Sequence, residues 1–79
     1  MRKEFTTKDP ERKMFKDFYE LIQEHYIVED NDDYWKALTE GCDAFVHNNP
    51  YCAKLARRLA YVFSVYQEHE YMRKRKRGN

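Results

Sequence analysis

Residues 30–50 read Asp30-Asn31-Asp32-Asp33-Tyr34-Trp35-Lys36-Ala37-Leu38-Thr39-Glu40-Gly41-Cys42-Asp43-Ala44-Phe45-Val46-His47-Asn48-Asn49-Pro50, a stretch that holds a whole helix and both of its ends. Asn31 or Asp30 suits the cap, because a short side-chain oxygen accepts a free N–H of the first turn. The carboxylates that follow suit the positive end of the helix dipole. Tyr34, Trp35, Leu38, Cys42 and Phe45, flanked by Val46, share one face at about 100° per residue. Gly41 lies at the edge of that face, where it costs about 1 kcal/mol against alanine, and a close helix approach is one reason for it. His47-Asn48-Asn49-Pro50 then turns the chain, with Asn49 placed to cap the next helix and Pro50 at its first position.

The same pattern extends to both sides. Upstream, Asp9-Pro10-Glu11 reads as a helix start, with Asp9 as cap and Pro10 at the first position, and Met14, Phe15, Phe18, Leu21 and Ile22 form one apolar face opposite Lys16, Asp17, Glu20 and Glu24. Downstream, Cys52, Leu55, Ala56, Leu59, Val62, Phe63 and Tyr66 form another, with no helix breaker before Gly78. Three amphipathic stripes joined by short connections predict an all-α, three-helix, up-down-up bundle with helices over about 10–26, 31–47 and 50–72. Residues 1–8 read as a loose arm, 9–72 as the domain, and 73–79 as a basic tail, frayed or disordered.

Composition agrees. Seventy-nine residues allow one modest core, and an aromatic share of 16% is too high for a disordered chain. Two glycines, two prolines and few β-branched residues disfavour sheet. No stretch is apolar enough to cross a membrane, and the first residues lack the apolar run of a signal peptide, so the expected setting is cytoplasmic with both cysteines reduced. The net charge of +1 conceals a segregation: residues 14–52 carry two cations and nine anions, whereas residues 53–79 carry eight cations and two anions.

Sites for chemistry are sparse. His25, Cys42, His47, Cys52 and His69 lack zinc-ligand spacing. Cys42 and Cys52 read as small core thiols, with a disulfide across the turn as the alternative in an oxidising compartment. His25 continues the stripe of Met14, Phe18 and Leu21 and reads as a packed, hydrogen-bonded histidine. Counting from Glu29, Asn31, Asp33 and Glu40 fall at calcium-loop positions. Tyr34 then stands where the loop turn wants glycine, so helix capping explains the carboxylates better. Thr39 and Ser64 are the only mid-helix hydroxyls, neither in an elbow context, and no glycine-rich phosphate loop exists. The expectation is a non-enzymatic chain with no metal and no cofactor.

Two surface features remain. Arg73-Lys74-Arg75-Lys76-Arg77 form a basic run that Lys54, Arg57 and Arg58 on the same helix extend into a candidate nucleic-acid contact. A helix-turn-helix reading is a sub-case, with Tyr51, Lys54, Arg57 and Arg58 facing the groove. Opposite the expected core stripe, Tyr61, Val65 and Met72 line up as a candidate protein-contact face.

Asp33-Tyr34-Trp35-Lys36-Ala37-Leu38, Cys42-Asp43-Ala44-Phe45, Ala53-Lys54-Leu55-Ala56 and the segment from Tyr61 to Tyr66 together resemble small uncharacterised proteins of Firmicutes and their mobile elements. The resemblance covers roughly residues 16–71, excludes the basic tail, and implies no site residues. The leading expectation is a small protein-interaction module, self-association included, whose partner is another protein or a second copy. A nucleic-acid-binding accessory or regulator is the alternative.

Overall fold

A computed structural model describes residues 1–77, and the side chains of residues 1–75. The chain forms α1 (Pro10–His25), α2 (Asp32–His47), a 3-10 turn (Pro50–Cys52) and α3 (Ala53–Arg77), with no strand among the described residues. The three-helix, all-α architecture expected from the stripes is the one observed. Expected boundaries shift at several points. Asn31 is extended and stands outside α2 as its cap, its Oδ1 accepting the Tyr34 N–H at 2.7 Å. The third helix opens with the 3-10 turn and runs on to Arg77, past the boundary expected at 72. The remainder of the expected tail, residues 78–79, lies outside the described residues.

Two expected caps act otherwise. The Asp9 carboxylate turns back to accept the Thr6 N–H at 2.9 Å, while the Arg12 N–H bonds the Asp9 carbonyl at 3.2 Å. Asn49 is buried, and its side chain makes no cap bond. Its Nδ2 donates to the Phe45 carbonyl at 2.8 Å and to Asp17 Oδ2 at 3.1 Å, which ties the α2–α3 turn to α1. The Phe45 carbonyl belongs to the last turn of α2 and has no helical N–H ahead of it, so a buried side-chain donor there satisfies it.

The core comprises Met14 and Leu21 of α1, Tyr34, Leu38 and Phe45 of α2, and Ala56, Ala60 and Phe63 of α3. Phe18, Trp35 and Leu59 pack on its margin. Phe18 sits 5.6 Å from Phe45 and 6.4 Å from Phe63 between ring centroids. Gly41 faces α1: a Cβ there would stand 2.9 Å from His25 Cε1 and 3.1 Å from Leu21 Cδ1, so a side chain would press on both of these α1 side chains.

The third stripe needs correction. Leu55, Val62 and Tyr66, expected inside, are exposed, as is Phe15 on α1. What α3 buries is the adjacent line Ala56, Ala60, Phe63 and Gln67, at steps of 4, 3 and 4. Gln67 explains this phase. Its Nε2 lies 2.7 Å from the His25 carbonyl, 2.8 Å from the Tyr26 carbonyl and 3.0 Å from the Tyr34 hydroxyl. Carbonyls at the end of α1 lack helical donors, and an amide reaching in from α3 supplies one. Rotating α3 by one residue would bury Tyr66 and take from the Tyr26 carbonyl its side-chain donor, at about 1–3 kcal/mol, while the Tyr34 hydroxyl would still serve the His25 carbonyl.

Candidate protein-contact face

In an up-down-up bundle the first and third helices run parallel, and bonds from Gln67 to His25 and from Cys52 Sγ to the Pro10 carbonyl fix their register. On α1 the inward line is Met14, Phe18, Leu21 and His25. One residue on, Phe15, Tyr19, Ile22 and Tyr26 repeat the same steps of 4, 3 and 4. On α3 the inward line ends in Gln67, and one residue before it run Leu55, Leu59, Val62 and Tyr66, again at 4, 3 and 4. These second lines lie side by side along the α1–α3 seam. Tyr19 and Val62 are each 63% exposed and Tyr26 55%, while Ile22 and Leu59 form the half-buried floor.

The two ends of this face differ. Phe5 from the N-terminal arm meets Phe15 edge-on at 6.1 Å, with Lys3 Nζ 5.6 Å from the Phe5 ring centre and 4.0 Å from Asp9, and Arg12, Lys16 and Arg58 stand exposed nearby in helical register, with Glu11 on α1 and Glu4 on the arm as further carboxylates. At the other end Glu29 follows Tyr26, and Glu70 lies one turn beyond Tyr66, bridged by Arg73 at 2.7 Å. The Tyr26 hydroxyl, as hydrogen-bond partner, holds the Tyr66 hydroxyl above its ordinary pKa, and Glu70 adds to this.

The residues singled out from sequence fall elsewhere. Tyr61 and Met72 are exposed and Val65 half-buried, on the α2 side of α3. Tyr61 borders a trough with Thr39, Cys42, His47 and Arg57. Met72 edges a hollow beside Trp35 and Tyr71, whose rings meet edge-on at 5.5 Å. The basic candidates form two groups. Lys54, Arg57 and Arg58 stand near the start of α3, and Arg73, Lys74 and Arg75 near its end, about 22 Å along the axis at 1.5 Å per residue. Glu68 and Glu70 intervene, and Lys74 and Arg75 border a hollow that includes Asp30. The side chains of Lys76 and Arg77 lie outside the described residues.

The polar candidates for chemistry are engaged locally. Cys42 Sγ faces Ser64 Oγ at 3.4 Å, whereas Cys52 Sγ faces the Pro10 carbonyl at 3.8 Å, and both thiols are free. Burial raises the pKa of each. His25 Nδ1 donates to the Leu21 carbonyl at 3.0 Å. Among the described residues no three His, Cys, Asp or Glu side chains are grouped to hold a metal ion, and no helix is long and apolar enough to cross a membrane.

Sequence reading missed Tyr19, Tyr26, Val62 and Tyr66 as a surface. The available signal was the doubling of each stripe: two lines of identical spacing one residue apart, of which a three-helix bundle buries one. No family model matches the chain, and no curated protein or solved structure shows significant similarity to it.

Proposed function

We propose that this chain is a non-enzymatic protein-interaction module whose contact surface is the α1–α3 face. The observation that carries the reading is the pair of parallel apolar lines, Phe15-Tyr19-Ile22-Tyr26 and Leu55-Leu59-Val62-Tyr66, of which all but Ile22 and Leu59 stand exposed beside a core that already has its own line on each helix. Scattered exposed apolar side chains are ordinary, but a contiguous patch along a whole seam marks an interaction surface. The proposed setting is bacterial and cytoplasmic, where thiols such as Cys42 and Cys52 stay reduced.

Five tyrosines provide an internal test. Hydroxyl-radical footprinting in cells that make the protein should find Tyr19, Tyr26 and Tyr66 protected relative to the isolated, dilute chain, with Tyr51 and Tyr61 reactive in both. Equal reactivity of all five in cells would remove the reading.

The nucleic-acid alternative draws on α3 carrying Arg73, Lys74 and Arg75 on a helix that extends beyond the bundle, in a molecule 48 Å long. The separation of these cations from Lys54, Arg57 and Arg58 favours the protein reading over a continuous phosphate track.

A further inference from the structure

We infer that the occupant of the α1–α3 face is a second copy of this chain, packed antiparallel about a two-fold axis that passes between Tyr19 and Ile22 on α1 and between Leu59 and Val62 on α3. The inference rests on the contact face proposed above and adds the identity and register of what covers it.

Spacing is the first argument. Steps of 4, 3 and 4 read the same in both directions, so an antiparallel copy meets each line in register. Phe15 then opposes Tyr26 of the other copy, Tyr19 opposes Ile22, Leu55 opposes Tyr66, and Leu59 opposes Val62. A two-fold interface requires this self-complementarity, because the same patch serves on both sides.

Charge selects the direction. The Phe15–Leu55 end carries Arg12, Lys16 and Arg58 with Glu11, and the Tyr26–Tyr66 end carries Glu29 and Glu70, the latter bridged by Arg73. Antiparallel packing places the basic end of one copy over the end of the other where Glu29 is left without a cationic partner and Arg73 offsets Glu70. Parallel packing would set Arg12, Lys16 and Arg58 against their own counterparts, a like-charge arrangement that disfavours association.

Area is the third argument. From their fractional exposures, the six exposed residues of the eight leave on the order of 600 Å² uncovered, close to the roughly 800 Å² per partner of a standard interface once the flanking residues are added. Self-association also meets a need of the chain. Among the described residues the buried apolar set has eight members, two of them alanines, and both cysteines are free. Chains of this size commonly draw stability from oligomerisation.

Sedimentation equilibrium of the full chain tests the inference. The expected result is a monomer–dimer equilibrium. Val62→Glu and Tyr19→Glu should each weaken it by about 30-fold or more, the scale of an interface hot spot, with helical circular dichroism unchanged because both residues are exposed. Tyr61→Glu, on the other side of α3, should leave it intact. A monomer at all concentrations up to about 1 mM, the range of even weak association, would overturn the second copy. The contact face itself would then stand or fall separately, on the protection of Tyr19, Tyr26 and Tyr66 in cells. A dimer broken by Tyr61→Glu and untouched by Val62→Glu would overturn it as well. With Cys42 and Cys52 replaced by alanine, a mixture of Phe15→Cys and Tyr26→Cys chains should form a disulfide-linked heterodimer. Phe15→Cys chains linking to themselves as fast as to the Tyr26→Cys chain would overturn the antiparallel register.

Discussion

Gln67 Nε2 lies 2.7 Å from the carbonyl oxygen of His25, forty-two residues earlier in the chain, and this bond sets which side of α3 faces the core. Gln67 is fully buried, and its Oε1 has no hydrogen-bond partner. The amide therefore contributes to the packed interior through its N–H donors and not through its oxygen.

Substitution separates these contributions. Gln67→Leu keeps the volume, removes the donor to the Tyr26 carbonyl and also removes the unpaired oxygen, so a net loss of about 1–2 kcal/mol is expected. Gln67→Ala adds a cavity and should cost about 2–4 kcal/mol. Urea denaturation of the three chains checks the order. A Leu variant as stable as the parent would show that Gln67 does not fix the rotation of α3.

A second long-range tie responds to acid. Burial pushes the Asp17 carboxyl up, but hydrogen bonds from Lys13 and Asn49 outweigh it, and the pKa lies below the ordinary aspartate value. Lys13 Nζ stands 2.7 Å from Asp17 Oδ2 and 3.0 Å from the Asn48 carbonyl. With the folded value below the unfolded one of about 3.9, Asp17 contributes stability above that pH and loses it as pH falls through the folded value. The melting temperature should therefore fall on acidification below about pH 4. Asp17→Asn should lower it near neutrality and flatten part of the acid slope. The residual slope belongs to other carboxylates such as Asp9, which the Thr6 N–H bond lowers too. Unchanged acid dependence in Asp17→Asn would remove this link.

How much of the molecule is legible in its sequence follows from these two ties. Periodicity reports how wide an apolar stripe is and where it begins. The three helices, the Asn31 cap and the α2 face were therefore readable from local spacing. Phase is another matter. On α1 and α3 the stripe is two lines wide, and either line is a chemically reasonable interior. The choice on α3 depends on a hydrogen bond between Gln67 and residues some forty positions away, which no local pattern contains. Asn49 illustrates the same limit, because a local rule makes it a cap, whereas Asp17 and Lys13 of α1 draw its side chain inward. The contact face inherits both effects. Its residues are visible in the sequence, and their exposure is decided by the phase.

The division of the basic residues makes a quantitative prediction for nucleic acid. Duplex DNA binding weakens with salt on a log–log slope of about −0.9 per phosphate neutralised. The five cations from Arg73 to Arg77 acting alone give a slope no steeper than about −4.5, and all eight acting together give about −7. Because Arg73 bridges Glu70 and some 22 Å separates Arg58 from Arg73, any low-salt DNA retention should follow the shallower slope and vanish on truncation after Met72. Fluorescence anisotropy across salt measures it. A slope near −7, or binding that survives the truncation, would place the nucleic-acid reading ahead of the protein one.

Gly41 and His25 allow a test in which two effects of opposite sign are separated. Alanine is favoured over glycine inside a helix by about 1 kcal/mol, so Gly41→Ala should stabilise α2 if nothing stood in the way. A Cβ there meets His25 Cε1 at 2.9 Å and Leu21 Cδ1 at 3.1 Å. The imidazole cannot swing aside freely, because its Nδ1 is bonded to the Leu21 carbonyl, and Leu21 is part of the core. Overpacking of this kind costs about 1–3 kcal/mol, which exceeds the propensity gain, so Gly41→Ala should lower the melting temperature. His25→Ala removes the nearer contact and gives Leu21 room to shift, so in that background Gly41→Ala should become stabilising, by at most about 1 kcal/mol. The sign reversal is the coupling that a double-mutant cycle measures. If Gly41→Ala has the same effect with and without His25, the close approach of α1 and α2 is not what keeps glycine at this position.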